Sequence, residues 1–388
     1  MPVNTSPKSR PAAPRKPLPT RVLSKRLLAA GLLGSLLLTF LGSCSDSEED
    51  GERVDRLAAL VSQTGAAEER SQAFGHELDV LRAVRATLQS VGEAAFIPTP
   101  DGILNALSLR AYHQWNSTSE GAQAARALDF ENPDHPIHAI VTRAENLREM
   151  GVDYLYVLVP SRLEVYPELL LPDLAGAPDF PGINPGTVGF QAELARRGVE
   201  CVPLLEVFAK QRFDPNGTRW LMRKDTPAWT PAGAALASLT IAHVVKSLPW
   251  FGQGPALEGV DFQVDLRTMI PNRSPAVVAA FPEDVLLPIE AVLTRESLAA
   301  HVPDRESPIV LLGDTTVGFY APLGGDLAGQ LYRQLGHRLD VISAAQRDDY
   351  WMAFERRPDA YSGKQLVIEV QAGGFRLPPT PHAPLPAQ

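Results

Sequence analysis

Ile309-Val310-Leu311-Leu312-Gly313-Asp314-Thr315 is a run of four branched apolar residues that stops in a Gly-Asp-hydroxyl turn. Such a run, without alternation of apolar and polar positions, reads as a strand buried on both faces, the kind found in parallel sheets. The turn then lifts the Thr315 hydroxyl to the open edge of the sheet, where a nucleophile belongs. Gly-Asp-Thr is also an ordinary turn and helix start, so the stretch needs support from its neighbours.

That support comes from compact runs of the same character at Tyr154 to Val159, Glu200 to Pro203 and Gln365 to Gln371. Helical stretches are expected at about His138 to Met150, Gln191 to Arg197 and Pro231 to Leu248. Strands alternating with helices of this length build βαβ crossovers, hence an α/β domain with a mostly parallel sheet covered on both faces. Ligands in such folds sit at the carboxyl ends of the strands. The segments that matter are therefore Pro160 to Pro167, the turn expected at Leu205 to Phe213, and Gly313 to Tyr320. The Pro- and Gly-richer stretch from Phe251 to Arg305 reads as an insertion or a small strand-rich excursion.

A second cluster, Arg223-Lys224-Asp225-Thr226-Pro227-Ala228-Trp229-Thr230-Pro231-Ala232-Gly233-Ala234, precedes the helix at Pro231. Thr230 as N-cap and Pro231 at the first helical position make a strong helix start. Asp225 to Trp229 are thereby set in the loop just before it.

Those two clusters, in that order, resemble the SGNH-hydrolase-like domain of the periplasmic alginate O-acetyltransferase family. The resemblance covers nearly all of the chain from Ile97 to Leu377. Asp101-Gly102-Ile103 loosely matches the family's early Asp-Gly-Trp-like turn, and Pro160-Ser161-Arg162 with Tyr166-Pro167 matches its Pro-x-Lys-x-x-x-Tyr-Pro-like segment. Trp229-Thr230-Pro231-Ala232-Gly233-Ala234 matches the second half of the acid-base motif Asp-Thr-His-Trp-Thr-Pro-x-Gly-Ala. Thr315 follows Asp225 by about ninety residues, where the family's Gly-Asp-Ser or Gly-Thr-Ser places its nucleophile. The resemblance implies a three-layer αβα domain over residues 93–376. It also implies catalytic roles for Thr315, Asp225 and Asp314, and substrate contacts from Arg162, Tyr166 and Trp229. The same residues have bland readings: Arg162 and Tyr166 as structural loop residues, and Trp229 packed on the helix that follows it.

The departures bear on the chemistry. Asp225-Thr226-Pro227-Ala228-Trp229 is one residue longer than the family's motif and lacks its His, and Thr315 stands where the family has Ser. Serine-type acyl transfer needs a base near neutral pKa, which imidazole supplies. A carboxylate with an ordinary pKa of roughly 3.9 is a poor substitute, and the extra methyl of Thr restricts χ1 and crowds the point of attack. Loss of one triad member costs roughly ten-thousandfold to a millionfold in turnover. His113, His135 and His138 lie upstream as conceivable replacements. Two readings follow: a polysaccharide O-acetyltransferase or esterase relative with weak or no catalysis, or an inactive scaffold that binds glycan or a partner with the same cleft.

Working outward to the amino terminus, Lys8, Arg10, Arg15, Lys16, Arg21, Lys25 and Arg26 precede an unbroken apolar run from Leu27 to Leu41. The run is about 15 residues long, short of the roughly 20 that span a bilayer core, so residues 1–43 read as a signal peptide. It ends at Leu41-Gly42-Ser43-Cys44, the bacterial lipoprotein pattern, which makes Cys44 the lipidated first residue of the mature chain. Two or more acyl groups there, palmitate among them, give stable anchoring. Residues 44–52 form an acidic linker. Residues 53–92 form a helical stalk with Leu57, Leu60, Val61, Phe74, Leu78, Leu81, Val84 and Leu88 on one face. Residues 377–388 form a Pro-rich disordered tail.

The formal charge is −9, and removing the basic leader makes the remainder more acidic still. This excludes nucleic acid as a partner and leaves membrane association to the anchor alone. Cys201 is the second of two cysteines; with Cys44 lipidated, neither a disulfide framework nor a paired-Cys metal site is available. Cys201 itself reads as a buried structural thiol. No metal or other cofactor is expected. The expected partners are a cell-envelope polysaccharide or an acetyl-donor protein, met at a membrane surface facing the periplasm or exterior.

Overall fold

The computed structural model describes residues 83–84, 86–87, 89–90, 96–99, 102–105, 130–131, 133, 135–171, 185–212, 221–223, 228–252, 262–269, 287–295, 302–344 and 347–372. The leader, Cys44, the acidic linker, most of the stalk, His113, Asp225 and the Pro-rich tail lie outside the described residues. Among the described residues no helix is long and apolar enough to cross a membrane.

A short antiparallel hairpin of β1 (Phe96–Thr99) and β2 (Gly102–Asn105) comes first. The chain then alternates: α1 (Pro136–Glu149), β3 (Asp153–Val159), α2 (Arg162–Val165), α3 (Pro185–Arg196), β4 (Glu200–Val202), α4 (Leu204–Gln211) and α5 (Pro231–Ser247). A ribbon of β5 (Phe262–Met269) and β6 (Leu287–Thr294) follows. The chain closes with β7 (Ile309–Gly313), α6 (Leu327–Leu335), β8 (Asp340–Ser343), α7 (Arg347–Glu355) and β9 (Leu366–Ala372).

Five strands form one sheet in the order β4-β3-β9-β7-β8, and every pairing in it is parallel. The expected α/β fold is present. The burial of Ile309 to Leu312 shows why that run does not alternate, since side chains on both faces are fully covered. On one face Leu155, Val157, Leu311, Ile368 and Val370 pack with Phe208 of α4, Ala237 and Ile241 of α5, and Leu331 of α6. On the other, Tyr154, Tyr156, Val310, Leu312 and Val367 pack with Ile140 of α1, Leu194 of α3 and Trp351 of α7. Helices on both faces make the three layers. At roughly 25 cal/mol per Å² of apolar surface buried, this two-sided burial is the main favourable term in the fold.

The segment from Leu205 to Phe213, expected as a turn, is mostly helix: α4 runs Leu204–Gln211. Pro203 ends β4 and sits as its N-cap, and Leu204, Leu205 and Phe208 form the stripe that buries it. The expected strand-rich excursion between Phe251 and Arg305 contains the β5–β6 ribbon.

Polar groups inside the sheet are paired. Glu369 accepts hydrogen bonds from the Tyr154 and Tyr350 hydroxyls, and Gln371 from Tyr156. At the amino edge the fully buried Asp340 takes both carboxylate oxygens to Arg357, at 2.9 and 2.7 Å, and one to Lys364 at 3.1 Å. Lys364 also donates to the carbonyls of Arg305 and Ser307, so the charges that close the bottom of the sheet are compensated. The carboxyl edge, at Pro160, Pro203, Asp314 and Ala344, is left for function.

Candidate functional site

Thr315 lies two residues beyond the end of β7, after Asp314, at the carboxyl edge of the sheet. It is exposed, while Thr316 beside it is buried. The turn that presents it is built by Asp314. One Asp314 oxygen accepts from the Thr316 N–H at 2.8 Å and the other from the Ala372 N–H at 2.9 Å, so the carboxylate ties β7 to the end of β9. The Asp314 carbonyl accepts from the Val317 N–H and from the Ser343 hydroxyl. Gly313 is required here, because a Cβ would stand 2.3 Å from Val317 Cγ2 and 2.6 Å from the Val370 carbonyl.

The second cluster forms a hairpin whose base is regular. Met222 bridges Trp229, the Arg223 N–H donates to the Ala228 carbonyl at 2.8 Å, and the Thr230 N–H donates to the Leu221 carbonyl at 2.8 Å. Asp225 is one of the four residues between Arg223 and Ala228. Thr230 caps α5 as the sequence requires, its Oγ1 accepting from the Gly233 N–H, and Pro231 opens the helix. A Cβ on Gly233 would lie 2.1 Å from the Leu221 carbonyl oxygen, which explains a glycine two residues into the helix.

Two tyrosines hold this hairpin in place. The Tyr320 hydroxyl, from the turn that carries Thr315, donates to the Trp229 carbonyl at 2.9 Å. The Tyr166 hydroxyl accepts from the Leu221 N–H at 2.8 Å. The Arg223 guanidinium stands 5.3 Å from the Phe319 ring centroid, a cation–π contact between the same two segments. The described base of this hairpin, Leu221 to Arg223 and Ala228 to Thr230, is thus in contact with the segment that carries Thr315; Asp225 lies outside the described residues.

The residues expected to touch substrate are placed inside the protein. Arg162 starts the short α2 behind Ser161, whose capping box with Glu164 is complete. Glu164 also accepts from Thr187 at 2.6 Å. Arg162, Tyr166 and Trp229 are all buried, and Trp229 has no exposed surface. Burial raises the Tyr166 pKa to about 12, the Leu221 N–H opposing the rise, so the phenol is protonated at neutral pH. Cys201 is half-buried, and burial pushes its thiol pKa up.

No imidazole among the described residues hydrogen-bonds Thr315. His135 is the N-cap of α1, its Nδ1 accepting from the Ile137 N–H, with the Phe130 and Phe190 rings packed on it. His138 Nδ1 is 3.5 Å from Arg197. His243 and His337 lie toward the amino edge, where Trp250 donates to Asp153 at the start of β3 and Phe251 packs on His337. Arg223 and Tyr320 are the site residues that sequence reasoning passed over as such. Arg223 was marked only by standing two residues before Asp225, and Tyr320 only by closing the Gly313 to Tyr320 segment.

A model of the family described as SGNH hydrolase-like domain, acetyltransferase AlgX, matches residues 112–268. That span holds Arg162, Tyr166, Asp225 and Trp229 and ends before Thr315. Among solved structures, the chain is similar to the O-acetyltransferase domain of Pseudomonas putida AlgJ. The identity is 15% over 72% of this chain and 91% of that one, with a TM-score of 0.49. It is similar to Pseudomonas aeruginosa AlgX at 16% identity over 72% of this chain and 62% of that one, with a TM-score of 0.49. Bacillus cereus PatB1 is 11% identical over 71% of this chain and 95% of that one, with a TM-score of 0.42. No curated protein matches the chain.

Proposed function

From the premise that residues 112–268 carry an SGNH hydrolase-like domain of the AlgX acetyltransferase type, we propose that this is a lipid-anchored cell-envelope protein with weak or no acyl-transfer activity. The carboxyl edge of the sheet around Thr315 then serves to hold a glycan or an acetyl-donor protein. The observation that carries this reading is the hydroxyl at Thr315: it is exposed at the sheet edge and no described imidazole reaches it. Acyl transfer through Thr315 would form a bond from its Oγ1 to the acetyl carbonyl carbon, with the hydroxyl proton passing to a base. Asp314 is engaged structurally in this arrangement, each of its oxygens accepting a backbone N–H group.

The test is hydrolysis of an aryl acetate by the purified protein beside Thr315→Ala. Equal background rates, or a Thr315-dependent rate roughly ten-thousandfold or more below that of a complete triad, support the proposal, and a faster Thr315-dependent rate overturns it. Calorimetry against acidic and neutral glycans tests the binding role, and silence across the panel counts against it. Cys44→Ser tests the anchor: the protein should move from the membrane fraction to the soluble fraction.

One observation favours an active enzyme instead. Tyr320 and Arg223 hold the base of the motif hairpin against the segment that carries Thr315, which favours a working acid-base pair. In that reading Asp225 or His113 takes the proton, and the aryl acetate assay separates the two.

A further inference from the structure

We propose that β5 is a self-pairing edge through which two copies of this chain associate. The ribbon is two-stranded: β5 pairs with β6 from Phe262↔Thr294 to Met269↔Leu287 and with no other strand among the described residues. The helices α5 and α6 reach the ribbon through β6, and the Val292 N–H of β6 donates to the Gly324 carbonyl at 2.8 Å. The body of the domain is therefore fastened to β6, and β5 stands outside it. Two-stranded ribbons are marginal on their own, and an exposed strand edge offers unpaired N–H and C=O groups to another strand.

The side chains of β5 match that use. Leu266 is 75% exposed and Val264 43% exposed, on the same face of the strand. Asp265 and Arg267 flank Leu266 on the opposite face; they pair with each other along the strand at 3.3 Å and keep 54% and 35% of their side-chain surface exposed, so each can also meet a partner.

Antiparallel pairing of β5 with a second β5 about a two-fold axis centred on Leu266 sets Leu266 opposite Leu266. It also sets Asp265 opposite the other copy's Arg267, twice over. Centring the axis on Asp265 or on Arg267 would set like charges opposite each other, which destabilises a cross-strand pair. Among these three registers charge selects the one centred on Leu266, and the two-fold relation makes it closed and isologous. The result is a four-stranded sheet, β6-β5-β5-β6, with the two leucines together.

The test uses the full chain with Leu266→Cys under mild oxidation, read on a non-reducing gel. At a self-paired position the Cα atoms stand roughly 4.5 to 5.5 Å apart, inside the disulfide range. Val264→Cys is the control, because the same register separates its two copies by roughly 13 Å. The unsubstituted chain gives the background from Cys44 and Cys201. The expected result is a covalent dimer from Leu266→Cys well above both controls. Asp265→Arg or Arg267→Asp, each combined with Leu266→Cys, should reduce that yield several-fold, and the two reversals together should restore it. Equal trapping at 264 and 266, or no restoration by the double reversal, would overturn the proposal. All of these positions are at the surface, and unchanged thermal melting of each variant separates loss of pairing from loss of fold.

Discussion

Replacing Tyr320 with Phe removes one oxygen and little else. The ring is 1% exposed and stays in the core, while its hydroxyl no longer donates to the Trp229 carbonyl, 2.9 Å away. Net loss of a neutral hydrogen bond is about 1 kcal/mol, and leaving a buried carbonyl without its donor raises the cost to about 1–3 kcal/mol. The loss should appear as a lower urea midpoint with an unchanged slope. It should also have a local signature. The Thr230 and Arg223 amides, which close the hairpin, should exchange faster with solvent, while those of β3 keep their protection. Tyr166→Phe releases the same hairpin from the Leu221 side. The two substitutions share one element and should therefore cost less together than the sum of the singles. A Tyr320→Phe protein within about 0.3 kcal/mol of the parent, well below the cost of an unsatisfied carbonyl, would refute the claim that this bond couples the two segments of the site.

Three further outcomes are expected. Gly233→Ala drives a methyl into the Leu221 carbonyl and should cost about 3 kcal/mol or more through overpacking of backbone on backbone, seen as a large drop in melting temperature. Asp326 caps α6 and is buried, which raises its pKa from 3.8 to about 6. Between those pH values the folded protein holds a proton that the unfolded chain has released, so stability falls as pH rises from about 4 to about 6. Asp326→Asn keeps a cap acceptor, should remove that slope, and should stabilise the fold at neutral pH by up to the order of 3 kcal/mol; an unchanged pH–stability curve would contradict it. Lys364→Met leaves Asp340 with Arg357 alone in a buried site and should destabilise by about 3–5 kcal/mol, measured by denaturant titration.

The sheet was legible because its central strands are dominated by branched apolar residues, Glu369 apart: Ile309 to Leu312 and Leu366 to Val370 are covered on both faces. The start of α5 was legible because Thr230 and Pro231 perform local chemistry that depends on few neighbours. Strand β8 escaped because Asp340-Val341-Ile342-Ser343 is four residues long and opens on a charged residue. That residue is tolerated only through its pairing with Arg357 and Lys364, far along the chain. Helix α4 differs from the expected turn because it is short and its apolar stripe, Leu204, Leu205 and Phe208, gains its meaning only from burial; Pro203 serves as its N-cap. Within the site, the Thr315 turn and the hairpin could be named from motif spacing. The inward placement of Arg162, Tyr166 and Trp229 could not, because a polar tip on a large side chain suits a ligand contact as well as a buried buttress. What decides between them is tertiary: Leu221 supplies the N–H that Tyr166 accepts.

We propose that the Thr315 oxygen is not activated as a nucleophile, since no imidazole among the described residues hydrogen-bonds it. Incubation of the full chain with an aryl sulfonyl fluoride, followed by intact-mass measurement beside Thr315→Ala, tests this at the atom concerned. No adduct is expected on the parent beyond that on the variant, and a stoichiometric sulfonyl group that depends on Thr315 would contradict the proposal.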